Sequence, residues 1–525
     1  MATDDGASTV AHRTNGPVDR AQARGILIVL ASIALMVQYV ETMVIPALGK
    51  FVTFFNNAPY STVAWILTAY LLVGVVATPI CGKLGDIFGK KRTLLWIVGV
   101  YAVAVSVAGF TPQIGQAMGL DRTGQLYLFI LVRGVQGFGM GMFPLAFAMI
   151  GEVFPPSEVA MAQGIVSATF GAGAAIGLLG GAYLTQTFGW QFTYHTVLPI
   201  AIVVFILTIF VLKESKTRLD RPLDLPGGIL LGAALGTLLL GLTEGPVWGW
   251  GNVRGAVLGG VPLGTPEFFL FAAGLTVAFV VWEAHSASPI VDFRRLAERN
   301  ILLSNVNGVL VATGMFVMFV AGTYLIESPG DGLNQSVLTV GLVSLPASIL
   351  MLGLAPQIGK LVSRRGPRPV MILGFGLIAF GGALLTVLNR NIWELTIVPI
   401  PFFVGMVSVM IAMTNIIVLS SDPRETGIQT GMNATFRNLG ASLGPVVSTV
   451  ILTSFVKVYQ PYGPYGPSFD LPSLTGFRVA YVVVALIGVA GALLSLGLKN
   501  YRYLADGSLA KGPGAPAPGG VALSR

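Results

Sequence analysis

Glu41, Arg133 and Arg437 each stand inside a long run dominated by apolar residues, where a charge is unfavourable. On the insertion scale, a carboxylate such as that of Asp at the centre of a membrane helix costs about 2.5–3.5 kcal/mol. An acid held there without a partner can carry a proton near neutral pH, and when ionised it can hold a cation. Those are the two chemistries open to Glu41, which precedes Val44, Ile45 and Pro46. A place close enough to the membrane surface for its side chain to reach water would give it neither. Gln136, Gly137 and Met140 follow Arg133 at i+3, i+4 and i+7 and share its helix face. That face can tune a carboxylate's proton affinity, hold a hydrogen-bond network, or simply pair the charge. Arg437 must likewise face protein or water.

A second polar group is the stretch Gly82-Lys83-Leu84-Gly85-Asp86-Ile87-Phe88-Gly89-Lys90-Lys91-Arg92 between two apolar runs. Gly85 and Gly89 permit close backbone approach or positive φ. Asp86 can lie against a helix amino terminus, where a carboxylate gains about 0.3–1 kcal/mol. Lys90, Lys91 and Arg92 can pair with it or with anionic lipid headgroups. Such a turn either anchors topology by charge alone or fastens the helices it joins.

Other chemistries find no support. His12, His195 and His285 are scattered without metal-ligand spacing. Gly137-Phe138-Gly139-Met140-Gly141 follows no strand and is embedded in apolar residues, so it is not a nucleotide loop. The chain contains no G-x-x-x-x-G-K-[ST] motif, which disfavours an ATP-driven pump, and no cytoplasmic cluster of His and carboxylates, which disfavours a membrane enzyme. A single cysteine, Cys81, rules out an intrachain disulfide framework.

The elements that must position these residues are membrane helices. Of 525 residues, 54% are hydrophobic and 10% charged, with mean hydropathy +0.78; soluble domains carry about 25% charged residues. Apolar segments of spanning length fall at 25–47, 60–81, 93–111, 125–151, 157–184, 190–212, 226–244, 266–283, 302–326, 337–358, 369–388, 393–420, 427–456 and 474–498. The expected fold is therefore all-α and polytopic: two six-helix bundles related by pseudo-two-fold symmetry, with two inserted helices, fourteen in all. The expected divisions are a disordered cytoplasmic arm (1–24), an N-terminal bundle (25–212), the inserted pair with its flanking loops (213–300), a C-terminal bundle (301–498) and a disordered cytoplasmic tail (499–525).

Charge fixes the expected orientation. With the amino terminus inside, the inner segments collect Arg20, Arg24, Lys83, Lys90, Lys91, Arg92, Lys213, Lys216, Arg294, Arg295, Lys360, Arg364, Arg365 and Arg368 among others. The outer segments hold Lys50, Arg122, Arg254, Arg390, Lys457 and Arg478. The net charge of +8 thus reads as positive-inside topology with both termini cytoplasmic, not as a nucleic-acid site.

The chain also repeats itself. Gly359-Lys360-Leu361-Val362-Ser363-Arg364-Arg365-Gly366-Pro367-Arg368 is a degenerate copy of the Gly82 stretch, with Ser363 in place of Asp86. Gly164 through Gly173 and Gly177 matches Gly431 through Gly440 and Gly444. These pairs are small-xxx-small packing motifs, and duplicated halves around a midplane site are how many secondary transporters are built.

On these residues the chain resembles the major facilitator superfamily, in particular its fourteen-helix drug:proton antiporter branch. Gly82 to Arg92 matches the family signature after helix two. Arg133-Gly134-Val135-Gln136-Gly137 looks like the helix-four motif, and Gly173, Gly177, Gly180 and Gly181 resemble the antiporter motif of helix five. Leu242 to Pro246 with Gly249-Trp250 looks like the inserted-pair region. Two positions depart from the pattern. Leu178 stands where helix five usually has a proline, although Gly444-Pro445 supplies the pair in the second half, and Glu41 replaces the usual Asp.

The resemblance implies proton coupling or substrate binding at Glu41, Arg133 and Gln136. It implies a conformational latch at Gly82, Gly85, Asp86, Gly89, Lys90 and Arg92. The glycines Gly173, Gly177, Gly180, Gly181, Gly440 and Gly444, with Pro445, would serve helix packing or a bend that controls leak. It further implies a monomeric, multi-pass plasma-membrane exporter of amphipathic small molecules in exchange for protons, in contact with membrane lipids. Neither catalytic residue, metal, cofactor nor nucleic-acid partner is expected. Export of one endogenous metabolite or lipid, and a non-transporting sensor, are the alternatives. Trp65, Tyr70, Phe170, Met406 and Met410 could line an adaptable apolar pocket.

Overall fold

The computed structural model describes residues 20–154, 156–214, 223–251, 257–258, 261–287, 289–420, 426–460, 469–500, 502–503 and 509–510. Among the described residues, twelve helical segments are long and apolar enough to cross a membrane. In chain order these are α1 (Arg20–Phe54), α2 (Tyr60–Phe88), α3 (Lys90–Ala117), α4 (Arg122–Val153), α6 (Trp190–Val211), α7 (Leu225–Pro246), α8 (Thr265–His285), α9 (Arg299–Glu327), α10 (Val337–Arg365), α11 (Pro367–Leu385), α12 (Ile392–Ser420) and α14 (Leu474–Leu496). Two further long helices, α5 (Pro156–Phe188) and α13 (Thr426–Ser454), fill the fifth and thirteenth places. α13 carries Gln429, Asn433, Arg437 and Asn438, while α5 is dense in Gly and Ala, and both pack on helices of each half.

The packing repeats with an offset of eight helices. α1 lies on α5 as α9 lies on α13, and α3 lies on α6 as α11 lies on α14. The two seams between the halves obey the same rule, since α2 packs on α13 and α10 packs on α5. One apolar core runs through both halves. The inserted α7 and α8 pack on each other, and α7 lies along the seam, touching both α2 and α13. A small separate cluster of Phe279, Val291, Ile301 and Met432 ties this pair to α9 and α13.

The helices run further than hydropathy indicates. The basic stretch expected as a turn is almost wholly helical: α2 continues to Phe88, α3 begins at Lys90, and the turn is Gly89 at φ 104°. Its second-half counterpart is the single residue Gly366 at φ 85°. Only glycine adopts such a conformation without strain. α1 starts at Arg20, inside the arm expected to be disordered, and is broken by a 3-10 turn at Ile45–Ala47. α4 is likewise broken at Gly137–Gly141. Short hairpins interrupt the all-helical plan at Val257–Leu258 with Val261–Pro262 and at Val456–Tyr459 with Phe469–Pro472. In the expected tail, Arg502–Tyr503 pairs with Leu509–Ala510, while the arm before Arg20 and the end from 511 lie outside the described residues.

Candidate functional site

Glu41 is buried, 3% exposed, which removes the possibility that it reaches water at the membrane surface. It sits one turn before the 3-10 break of α1, and α5 holds that segment. A Cβ at Gly173 would come 2.7 Å from the Leu35 carbonyl, one at Gly177 would meet Thr42 Oγ1 and the Tyr39 carbonyl, and one at Gly181 would meet the Met43 backbone. Bare glycine backbone thus lets α5 ride directly on the turns that carry Glu41. Thr42 Oγ1 bridges the pair, within hydrogen-bonding distance of the Gln38 carbonyl at 2.9 Å and the Ala174 carbonyl of α5 at 3.1 Å.

The second half builds the same joint. Gly440 lies on the Val309 backbone, Gly444 on Phe316 and the Thr313 carbonyl, and Thr313 Oγ1 donates to the Gly440 carbonyl at 3.0 Å. Pro445 lies inside α13 just beyond this contact. Leu178, at the position where the resemblance led to an expectation of proline, is buried at the seam, its carbonyl 3.2 Å from the Cβ position of Gly341 on α10.

Arg133 is fully buried. Its Nε donates to the Ile66 carbonyl at 3.0 Å, its Nη1 donates to Gln136 Oε1 at 2.6 Å, and its guanidinium stands 4.4 Å over the Tyr70 ring. Gln136 in turn donates to the Ala104 carbonyl at 3.0 Å. Arg133 and Gln136 therefore lock α4 to α2 and α3. Arg133 Nη2 and Glu41 Oε2 are each buried without a hydrogen-bond partner.

Glu41 lies within electrostatic reach of two guanidiniums, Arg133 and Arg437, with Gln38 within hydrogen-bonding reach. Arg437 comes from α13 in the other half, so charges of both halves act on one carboxylate. Around it, Arg437 Nη1 contacts Met410 Sδ at 3.5 Å, Asn433 donates to Asn305 Oδ1 at 3.1 Å, and Asn438 donates to Thr78 Oγ1 of α2 at 3.2 Å. Of the residues expected to line an apolar pocket, Tyr70 and Met410 touch these arginines and Met406 is core. The Phe170 side chain lies outside the described residues. Arg437 stands out in the sequence as a charge inside an apolar run, whereas Asn305 and Asn433 do not, because their pairing depends on which faces of α9 and α13 meet.

The basic turn is assembled differently from expectation. The carboxylate on the α3 amino terminus is that of Glu214, which accepts from the backbone amides of Lys91 and Arg92, each at 3.1 Å. Lys90 pairs with Asp86 at 3.7 Å and with Glu152 at the end of α4. Lys91 Nζ donates to the Ile209 carbonyl of α6 at 2.6 Å. In the second half Asn500 Oδ1 accepts from the Arg368 amide at 3.3 Å, and Arg368 Nη2 donates to the Leu496 carbonyl of α14 at 2.7 Å. The two turns share one architecture, with Asn500 and Ser363 where the first has carboxylates.

At the end opposite these turns the halves close on each other. Tyr60 of α2 and Tyr324 of α9 stack edge-on at 4.6 Å, and Gly341 of α10 is pressed against Leu179 and Ala182 of α5. Further along α10, the Cβ positions of Gly353 and Gly359 meet no described atom within 4 Å.

The sequence matches the Major Facilitator Superfamily model over residues 30–445 and again over 308–518. The chain belongs to the Major Facilitator Superfamily. It is 30% identical to the tetracenomycin C resistance and export protein of Streptomyces glaucescens, over 76% of this chain and 70% of that protein. It is 25% identical to a multidrug resistance protein B homolog of Mycobacterium tuberculosis (strain CDC 1551 / Oshkosh), over 81% of this chain and 75% of the relative. The crystal structure of the human organic anion transporter MFSD10 (TETRAN) has the same fold, with a TM-score of 0.59 at 13% identity over 90% of this chain and 99% of that one. The chain is thus a multi-pass, all-α membrane protein of a transporter family.

Proposed function

We propose that this superfamily member is a secondary active transporter that exports amphipathic small molecules across the cytoplasmic membrane by proton antiport and alternating access, with Glu41 as the coupling acid. The observation that carries the reading is the buried Glu41 carboxylate, within electrostatic reach of Arg133 of its own half and Arg437 of the other. Protonation of such a group changes the force between the halves, which is what a proton-driven rocking motion requires. The names of the relatives support export of drug-like compounds. The basic residues around the Gly89 and Gly366 turns support a cytoplasmic position for that end and for both termini, and all fourteen long helices then cross the membrane. Contact between the halves at the Tyr60 end supports a state closed at that end.

The test is Glu41→Gln in inverted proteoliposomes under an imposed pH gradient. Gradient-driven uptake of a transported dye should vanish while the protein stays folded; uptake at the wild-type rate would refute the assignment. A narrower reading, export of one defined compound, is favoured by the name of the Streptomyces relative. A substrate panel measured with intact and dissipated proton gradients separates the two.

A further inference from the structure

We propose that Glu327 is a second proton site, built into the outer gate, which holds a proton while the gate is shut and releases it when the gate opens. The proposal rests on the transporter reading and its orientation. Glu327 is the last residue of α9, in the C-terminal half. Its carboxyl lies against Gly49 of α1, in the N-terminal half, within hydrogen-bonding reach of the Gly49 amide. A Cβ at position 49 would collide with Oε2, so the approach needs glycine. The other oxygen, Oε1, is buried with no hydrogen-bond partner among the described residues.

The groups around it are few. Lys50 on α1 is within electrostatic reach, but its side chain is exposed and makes no ion pair with Glu327 among the described residues. Tyr60 of α2, itself within reach of Ser328, and Tyr324 of α9 are the neighbouring titratable side chains. The next charged groups, Asp331 and Lys457, satisfy each other at 3.1 Å. A carboxylic acid costs far less to bury than a carboxylate, so a carboxyl enclosed with one oxygen unsatisfied suits the neutral form. Because Gly49 and Glu327 belong to opposite halves, the contact cannot survive opening of this end. The carboxyl then meets water and ionises. Shutting the outer gate therefore takes up one proton from the outer solution, independently of Glu41 deeper in the bundle.

The experiment places spin labels on Thr53→Cys and Gln335→Cys, exposed positions on the two sides of the gate, in the full chain in lipid, with buried Cys81 left in place. Distances are measured by double electron–electron resonance at about pH 8 and about pH 5.5, both above the ordinary glutamate value of about 4.3, so the open-state carboxyl stays ionised throughout. One proton taken up on closure raises the shut-to-open ratio by up to about tenfold per unit fall in pH. The wild type should shift toward the short distance on acidification, and Glu327→Gln, which mimics the neutral acid, should stay short at both. Lys50→Gln gives an independent arm: closure at low pH should persist. A wild-type distribution indifferent to pH overturns the proposal. So does a Glu327→Gln or Lys50→Gln gate that is open at both pH values, since that would mean a charged latch. Glu41 protonation also bears on the halves, so Glu41→Gln should keep the part of the response that Glu327→Gln removes; a response lost in Glu41→Gln and kept in Glu327→Gln would assign the sensing to Glu41 instead. This readout needs no transport, so failure of the antiport reading and failure of the gate site are distinguishable.

Discussion

Arg133 shows how the environment of one side chain decides what it can do. Its guanidinium spends Nε and Nη1 on α2 and Gln136 and its face on Tyr70, leaving Nη2 without a partner. A lysine keeps the charge but not the planar fork. Arg133→Lys should therefore destabilise the fold by about 1.5–3 kcal/mol, the usual worth of a hydrogen bond to a charged group. It should also slow gradient-driven transport, as read by thermal unfolding in detergent and by dye efflux. Wild-type melting and rate would show that the fork is not used. The presence of Arg133 and Glu41 was legible in the sequence because charges inside apolar runs stand out. The electrostatic reach of Arg437 to Glu41 was not, because sequence says nothing about which helix faces meet between residues so far apart in the chain.

At the scale of elements, the glycine stripes turn from a packing motif into a positioning device. Gly177 lies on Thr42 and Tyr39, next to Glu41 itself. Adding one methyl there forces α1 away, and overpacking of this kind costs about 1–3 kcal/mol. Gly177→Ala should therefore lower transport by about tenfold or more, whereas Gly274→Ala on α8, where a Cβ meets nothing within 4 Å, should leave it unchanged. Equal activity of the two variants would reduce the stripe to packing alone. The basic turn teaches the complementary lesson. Its residues were found from sequence, but the carboxylate that caps α3 is Glu214, more than a hundred residues later, supplied by the segment after α6.

At the scale of the whole molecule, the face opposite the basic turns is tied together by loops as well as helices. Asp331 accepts from the Leu474 amide at the start of α14 and pairs with Lys457 of the hairpin after α13. That amide, together with Lys457, holds the Asp331 carboxyl below the usual carboxylate range. A group whose pKa is depressed on folding contributes stability above its unfolded value, about 3.9 for Asp, and loses it as pH falls through the lower folded value. Asp331→Asn should therefore melt below the wild type at neutral pH, with the difference fading only below about pH 4. A difference that persists at lower pH would mean that the side chain acts by shape, not charge.

The sequence by itself determined the class of fold, the near repeat of its halves and the rare charges in its apolar runs. Each follows from local arithmetic: hydropathy over a spanning length, glycine spacing and the imbalance of basic residues. It also found both one-glycine turns, though it took them for longer loops, because hydropathy falls where a helix leaves lipid and not where it ends. Only the tertiary structure decided that α5 lies on the Glu41 turn, that Arg437 reaches that acid from the other half, and that Glu327 closes on Gly49. Those contacts join residues far apart in the chain, and their geometry comes from the packing of whole helices.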